Sequence, residues 1–232
     1  RVTFFEGYNP KMMRVVGELS SARLAKCCLV GEDEALHRVA EEVGVDLGGI
    51  EVVDVCNEEA NEAFACRFEQ VPGCPWKPKA IRRHAKRPMD RAFMMQRADE
   101  TDVAFGGIDC STGDVITAGQ TIVGLADGVD VISSLGICNI PGWEGPEGSL
   151  LGFGDAAVCI DPNPEQLASI AIASAETVRA LLGWEPRVAM LSYSTDGSAE
   201  SELVEGVREA VGLARERRPD LKIDGEFQLD AA

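Results

Sequence analysis

Apolar residues fall along this chain in two alternating rhythms. Short apolar runs give way to longer stretches in which apolar positions recur every three or four residues. The first rhythm predicts strands at 1–6 (RVTFFE), 27–31 (CCLVG), 50–55 (IEVVDV), 102–107 (DVAFGG), 129–138 (VDVISSLGIC), 155–161 (DAAVCID) and 188–194 (VAMLSYS). The second predicts helices between them. Asn9 stands where a cap belongs and Pro10 at the first helical position, ahead of MMRVVGELSSARLA. Residues 31–44 read as a charged amphipathic helix and 57–70 as another, and CSTGD opens one that runs to about 125. Asn163 and Pro164 repeat the cap-and-proline signature before a long helix, and a last helix is expected over about 198–217. The pattern breaks at 71–79, where Pro72, Gly73, Pro75 and Pro78 mark a loop, and again at IPGWEGPEGS.

Strand–helix units repeated in this way imply an α/β fold whose sheets are mainly parallel and covered on both faces. Ligands of such sheets sit at the carboxyl ends of strands. The loops after Gly107, Cys138 and Ser194 are therefore the ones to watch. Loop chemistry places a domain boundary near 128–140, and no internal repeat is visible.

Composition narrows the partners. The 232 residues suffice for one large or two modest α/β domains. A hydrophobic share of 45% and a charged share of 26% describe a globular chain rather than a disordered one. Thirty-nine acidic residues against 22 basic ones give a net charge of −17, which repels nucleic acid and anionic lipid. A small anion can still bind a local nest of backbone amides. No apolar run has the length of a membrane span and no signal peptide is visible, so a cytoplasmic location is expected. Eight cysteines form no CxxC pair, and only His37 and His84 could join them, so no metal is expected. The thiols read as reduced and partly buried, or else as including a nucleophile at Cys110 or Cys138. Lys79, Arg82, Arg83, Lys86, Arg87, Arg91 and Arg97 form a basic segment, either a local field for an anionic ligand or a solvated helix face.

Two turns carry candidate chemistry. At the end of VAMLSYS, Ser192, Tyr193, Ser194 and Thr195 lead into Asp196-Gly197-Ser198 and a helix start. At 106–113 the run GGIDCSTG again joins a strand end, small hydroxyl residues and a helix start. Amides and hydroxyls so placed suit a phosphate or a developing oxyanion, and the two turns are expected to share one pocket. The same pattern equally describes an ordinary Ser/Thr-rich turn with a helix cap.

The run RVAMLSYSTDGSAESELVEGVREAVGLARERRPDLKIDGEFQLDAA resembles the signature region of the phosphate acetyl/butyryltransferases, whose pattern is a strand, SxSTKGS, a helix and PDLxIDGExQxDAA. The upstream FGDAAVCIDPNPEQLASIAIASAETVRALLGWEPRVAML fits too, and FFEG, LVG, GVDLGGIEVVD and the stretch 93–107 extend the likeness across the chain. The resemblance implies two α/β domains flanking a cleft, isocitrate-dehydrogenase-like, divided as 1–130 and 131–232. It implies the reaction acetyl-CoA + phosphate ⇌ acetyl phosphate + CoA, with coenzyme A as a substrate, no cofactor, and a homodimer. Another short acyl-CoA, as in phosphate butyryltransferase, is an alternative.

Carried over position by position, the resemblance marks Arg67, Ser111, Thr112, Thr117, Ser192, Ser194, Thr195, Gly197 and Ser198 as substrate-binding. Thr117 stands where the family has an arginine, and Asp196 where it has the signature lysine. Family chains continue past Ala232 with a Ser-Arg pair and an aspartate linked to catalysis, so truncation is expected and no general base is assigned. Thr117 and Asp196 also suit a non-catalytic acyl-CoA-binding regulatory domain, like the module appended to some malic enzymes. A dehydrogenase-like reading ranks last, since no GxGxxG follows the first strand.

Overall fold

Phe4 and Phe5 are neighbours in sequence but belong to two different cores, because successive side chains on an extended chain point to opposite faces. The computed structural model describes residues 1–74 and 76–232; Pro75 of the expected loop lies outside the described residues. Two compact units divide the chain, Arg1–Gly124 and Leu125–Ala232.

In the first unit β1 (Val2–Phe4) lies inside an all-parallel sheet with β2 (Cys27–Gly31), β3 (Glu51–Asp54) and β4 (Val103–Phe105), in the order β3-β2-β1-β4. On one face Phe4, Cys27 and Leu29 meet Met12, Met13 and Val16 of α1 (Pro10–Ser21) and Leu36 and Ala40 of α2 (Asp33–Val43). On the other, Phe5, Cys28 and Val30 meet Phe64 and Phe68 of α3 (Glu58–Phe68), Ile81 of α4 (Pro78–His84), and Phe93, Met94 and Met95 of α5 (Pro88–Arg97). β2 is buried along its whole length, which is why CCLVG carries no polar position. Each large side chain buried here contributes about 1.5–3 kcal/mol, so this double core dominates the unit's stability. The helix starts match the expected signals: Asn9 accepts from the Lys11 amide and Asn57 from the Ala60 amide.

The basic segment becomes α4 and α5, and most of its charges find partners inside the unit. Arg82 pairs with Glu62 and Glu69, each at 2.7 Å, Lys86 with Glu58 at 2.5 Å and Arg87 with Asp90 at 3.5 Å. Arg97 donates to the carbonyls of Ile122, Val123, Pro72 and Gly73, tying the 71–73 loop to the chain leaving α6. Arg91 is buried 3.4 Å above the Phe64 ring and donates to Asn61; burial pushes its guanidinium down to about 10. The reading of this segment as a field for an external anion is thus corrected. The helix expected to reach about 125 is also shorter. α6 spans Thr112–Ala118 and passes into a π-helical turn, Gly119–Val123.

In the second unit α7 (Pro164–Leu182) and α8 (Glu202–Arg217) pack on the parallel pair β7 (Arg187–Leu191) and β8 (Lys222–Phe227). Ala168, Ala171 and Ala175 of α7 and Ala214 of α8 let the helices approach closely over Val188, Met190, Leu221 and Ile223. Asn163 and Gln166 form a reciprocal capping box at the α7 start. An antiparallel pair, β5 (Leu135–Asn139) and β6 (Leu150–Gly154), completes the unit's sheets. Here expectation and structure differ. The strand at 129–138 is shortened, the strand after the glycine-rich loop is LLGFG, and 155–161 is not a strand. Asp155 bends that segment by accepting from the amides of Ser134 at 2.9 Å, Ala157 and Val158 at 3.3 Å and Cys159 at 2.5 Å, and from the Ser134 hydroxyl.

One close approach holds the end of β4. A Cβ on Gly106 would stand 2.2 Å from the Phe5 ring, so only hydrogen fits. Gly106→Ala is expected to destabilise the chain by about 1–3 kcal/mol through overpacking. Gly113→Ala, whose Cβ would meet only Ser111 Oγ at 3.8 Å, should change stability by less than about 1 kcal/mol. Urea unfolding midpoints check both, and equal midpoints for the two variants would contradict the packing argument.

Candidate active site

Beyond Gly106 the chain curls. Gly107 has φ +116°, a conformation that side chains resist, and the next amides turn inward. Gly107 and Ile108 donate to Glu6 Oε2 at 2.6 and 2.8 Å, and Asp109 and Cys110 to Glu6 Oε1, both at 2.9 Å. Glu6, just after β1, is fully buried. Burial alone would raise its carboxyl, but the amides of Ile108, Asp109 and Gly107 together hold it at about 2. The nest that the sequence suggested for an external anion therefore holds an internal one. Burial, with the Glu6 carboxylate beside it, pushes the Cys110 thiol up to about 11, which removes Cys110 as a nucleophile at neutral pH.

The hydroxyls follow the nest directly. Ser111 caps α6, accepting from the Asp114 amide at 3.1 Å and donating to Asp114 Oδ2 at 2.6 Å. Thr112 is exposed at the first position of α6. Thr117, one turn on, is exposed and donates to the Gly113 carbonyl at 2.7 Å. Residues 106–118 include Asp109 and Asp114 and no basic side chain, so Ser111, Thr112 and Thr117 supply hydroxyls without a local cation.

The second turn, after β7, is built on the same plan. Glu226 of β8, also buried, accepts at Oε1 from the Ser194 hydroxyl at 3.0 Å, the Gly197 amide at 2.9 Å and Arg208 Nη2 at 3.0 Å, and at Oε2 from Arg208 Nε at 2.9 Å. The Arg208 pair first, and the Gly197 amide next, hold the Glu226 carboxyl far below the usual range. The remaining amides are occupied as well. Thr195 donates to Ser198 Oγ at 2.9 Å, Asp196 to the Glu226 carbonyl at 3.2 Å, Ser198 to the Thr195 carbonyl at 3.0 Å and Ala199 to Ser194 Oγ at 3.0 Å. Ser194 is fully buried with its hydroxyl bonded to Glu226 at 3.0 Å, so in this structure it supports the turn from behind. Ser192 and Thr195 are half-buried, and Gly197 and Ser198 are exposed. α8 starts at Glu202, not near 198, and its free amides are capped by Ser201, which accepts from Val204. Sequence reasoning missed Glu6, Glu226 and Arg208. The glutamates in FFEG and IDGEF, flanked by apolar residues, were the available signal.

Arg67 lies on α3 with its side chain more than half exposed, held by a 3.3 Å pair with Glu100. Among the described residues no cluster of three or more His, Cys, Asp or Glu side chains is placed to hold a metal, and no helix is long and apolar enough to cross a membrane.

A sequence model of the family described as phosphate acetyl/butaryl transferase matches residues 1–232. The chain belongs to that family. It is 35% identical to a phosphate acetyltransferase of Clostridium acetobutylicum, over all of this chain and 70% of that protein. It is 36% identical to one of Escherichia coli, over all of this chain and 32% of that longer protein. A solved phosphotransacetylase from Staphylococcus aureus superposes with a TM-score of 0.83 at 26% identity, over 99% of this chain and 68% of that one. The mixed α/β fold with mainly parallel sheets is thus the family's fold. The two glutamates that fill the turns lie in the FFEG and IDGE blocks through which the family resemblance runs.

Because Glu6 is held below its ordinary 4.5, its stabilising contribution is complete above that value and is lost as pH falls toward about 2. Unfolding midpoints of the chain should therefore fall across this window, and those of Glu6→Gln should start lower and fall less. Parallel pH profiles for the two proteins would contradict the charged nest.

Proposed function

We propose that the chain catalyses reversible acyl transfer between coenzyme A and inorganic phosphate, acetyl-CoA + phosphate ⇌ acetyl phosphate + CoA. One observation carries the reading: an acyltransferase family is matched from the first residue to the last, with its SxST turn built as a rigid, internally bonded loop. In the forward direction a phosphate oxygen attacks the thioester carbonyl carbon. The C–O bond forms, the C–S bond breaks, and the thiolate leaves and takes up a proton. Thioester and acyl phosphate are both activated, so no covalent enzyme intermediate is needed. The protein's task is to hold the two substrates in line and to meet the developing oxyanion.

On this reading the family resemblance makes Thr112 and Thr117, beside Ser111, substrate contacts of the first turn, and Ser192, Thr195, Gly197 and Ser198 substrate contacts of the second, with Ser194 behind that turn. Arg67 supplies a half-exposed guanidinium able to exchange its 3.3 Å pair with Glu100 for a phosphate. Eight free thiols suit a reducing compartment, which supports a cytoplasmic location, and the family resemblance supports a homodimer.

The test mixes the full chain with acetyl phosphate and CoA and follows thioester absorbance. Turnover is expected, and butyryl phosphate run alongside decides the acyl chain. Saturable CoA binding with no thioester formed would overturn the enzyme reading in favour of a regulatory domain. Arg67→Ala should raise the KM for CoA about tenfold, equivalent to about 1.4 kcal/mol, while leaving stability within about 0.5 kcal/mol, as surface substitutions do. An unchanged KM would remove Arg67 from the site.

A further inference from the structure

Four consecutive amides can aim at one point only if the backbone curls around it, and the point they aim at is the Glu6 carboxylate. The curl is set from both sides. Phe5 leaves no room for a side chain at Gly106, and Gly107 takes the positive φ that starts the bend. The fourth amide of the nest belongs to Cys110, and the next two residues are Ser111 and Thr112. The Cys110 amide that meets the carboxylate is one residue from Ser111 and two from Thr112. Asn9, the residue that caps α1, adds a further tie by donating to Asp109 Oδ2 at 3.0 Å.

From this geometry we infer that Glu6 is a positioning residue for phosphate: it is a built-in anion that shapes the 107–110 loop and so fixes the α6 start, where Ser111 is spent as the cap and the hydroxyl of exposed Thr112 meets the substrate. The inference rests on the proposed function, since it takes that hydroxyl as a phosphate contact. The carboxylate acts in two ways. It engages four part-buried donors that would otherwise turn toward water or toward a dissolved anion. It also places a negative charge in the nest, so that a phosphate is refused by the loop's amides and left to the hydroxyl beyond them. Glutamine cannot do either: it has one acceptor oxygen, its NH₂ would face two amide donors, and it carries no charge.

The experiment compares the full chain with its Glu6→Gln and Glu6→Gly variants by two readouts. One is hydrogen exchange at the amides of 107–110; the other is the separate KM for phosphate and for acetyl-CoA. Glu6→Gln is expected to speed exchange at those amides and to raise the phosphate KM about tenfold, while the acetyl-CoA KM changes less than about twofold. Added formate, which fits the space left in Glu6→Gly, should restore both exchange protection and phosphate KM. If Glu6→Gln does not fold, Glu6→Asp, which keeps the charge on a shorter stem, takes its place with the same expected direction. An unchanged phosphate KM overturns the proposal. So does a variant in which both KM values and the unfolding midpoint shift together without any response to formate, because that is the signature of a purely structural residue. If the unmutated chain itself shows no turnover, the proposed function fails separately. Equilibrium dialysis of labelled phosphate then reads Glu6 directly: weaker binding by Glu6→Gln supports its positioning role and equal binding overturns it.

Discussion

Backbone amides left over where a strand ends must find an acceptor, and at three strand ends of this chain the acceptors are its own carboxylates, two of them buried and one half-buried. Glu6 takes four amides of the loop after β4, Asp155 takes four around the turn after β6, and Glu226 takes an amide, a hydroxyl and a guanidinium at the turn after β7. A buried amide without a partner costs about 1–3 kcal/mol, so each of these acids holds a loop that apolar packing alone would leave unsettled. All three carboxyls are pulled below their ordinary range although burial pushes the other way, which shows that hydrogen bonding decides the balance. A chain of net charge −17 thus uses some of its acids as internal structural anions.

This constraint changes how the chemistry of the turns is read. A strand end followed by glycine, serine and threonine looks open to a phosphate, yet here the amides of Gly107 to Cys110 and of Thr195 to Ala199 are already occupied. On the proposed function, what those stretches leave to a substrate is side-chain chemistry such as the hydroxyl of Thr112. Positive charge is scarce at both turns: residues 106–118 hold no basic side chain, and Asp196 adds a carboxylate to the second turn. Arg208 does not repair that deficit, because its guanidinium is held by Glu226 and Glu205. Arg67, by contrast, is exposed and loosely held.

Much of the first unit was legible in the sequence because its signals are local. The unbroken apolar run CCLVG announces a strand buried on both faces, and Asn9-Pro10 and Asn57 announce helix starts. The second unit was legible through Asn163-Pro164 and the α8 periodicity, but less so where a single side chain overrules the pattern. DAAVCID has the short apolar run of a strand, but Asp155 reaches its neighbours' amides and bends the segment. LLGFG was hidden by the glycine-rich loop before it, and β8 by the charged residues of LKIDGEF, of which Lys222 and Asp224 are exposed and Glu226 is buried. The basic segment looked like a binding surface because nothing in a linear pattern reveals that Arg82, Lys86 and Arg97 find partners in α3 and in distant carbonyls. The supporting bond of Ser194 was hidden for the same reason. Its hydroxyl points toward Glu226, 32 residues later, and no spacing rule anticipates that.

The internal anions are seen most directly in an NMR pH titration of the chain carrying carboxyl-labelled glutamate. The account predicts that the Glu6 and Glu226 carboxyls stay ionised while the exposed glutamates titrate around their usual value of about 4.3, Glu6 following only near 2 and Glu226 below it. A titration in which every glutamate carboxyl takes up its proton together, near the usual value, would contradict the claim that these acids hold the loops.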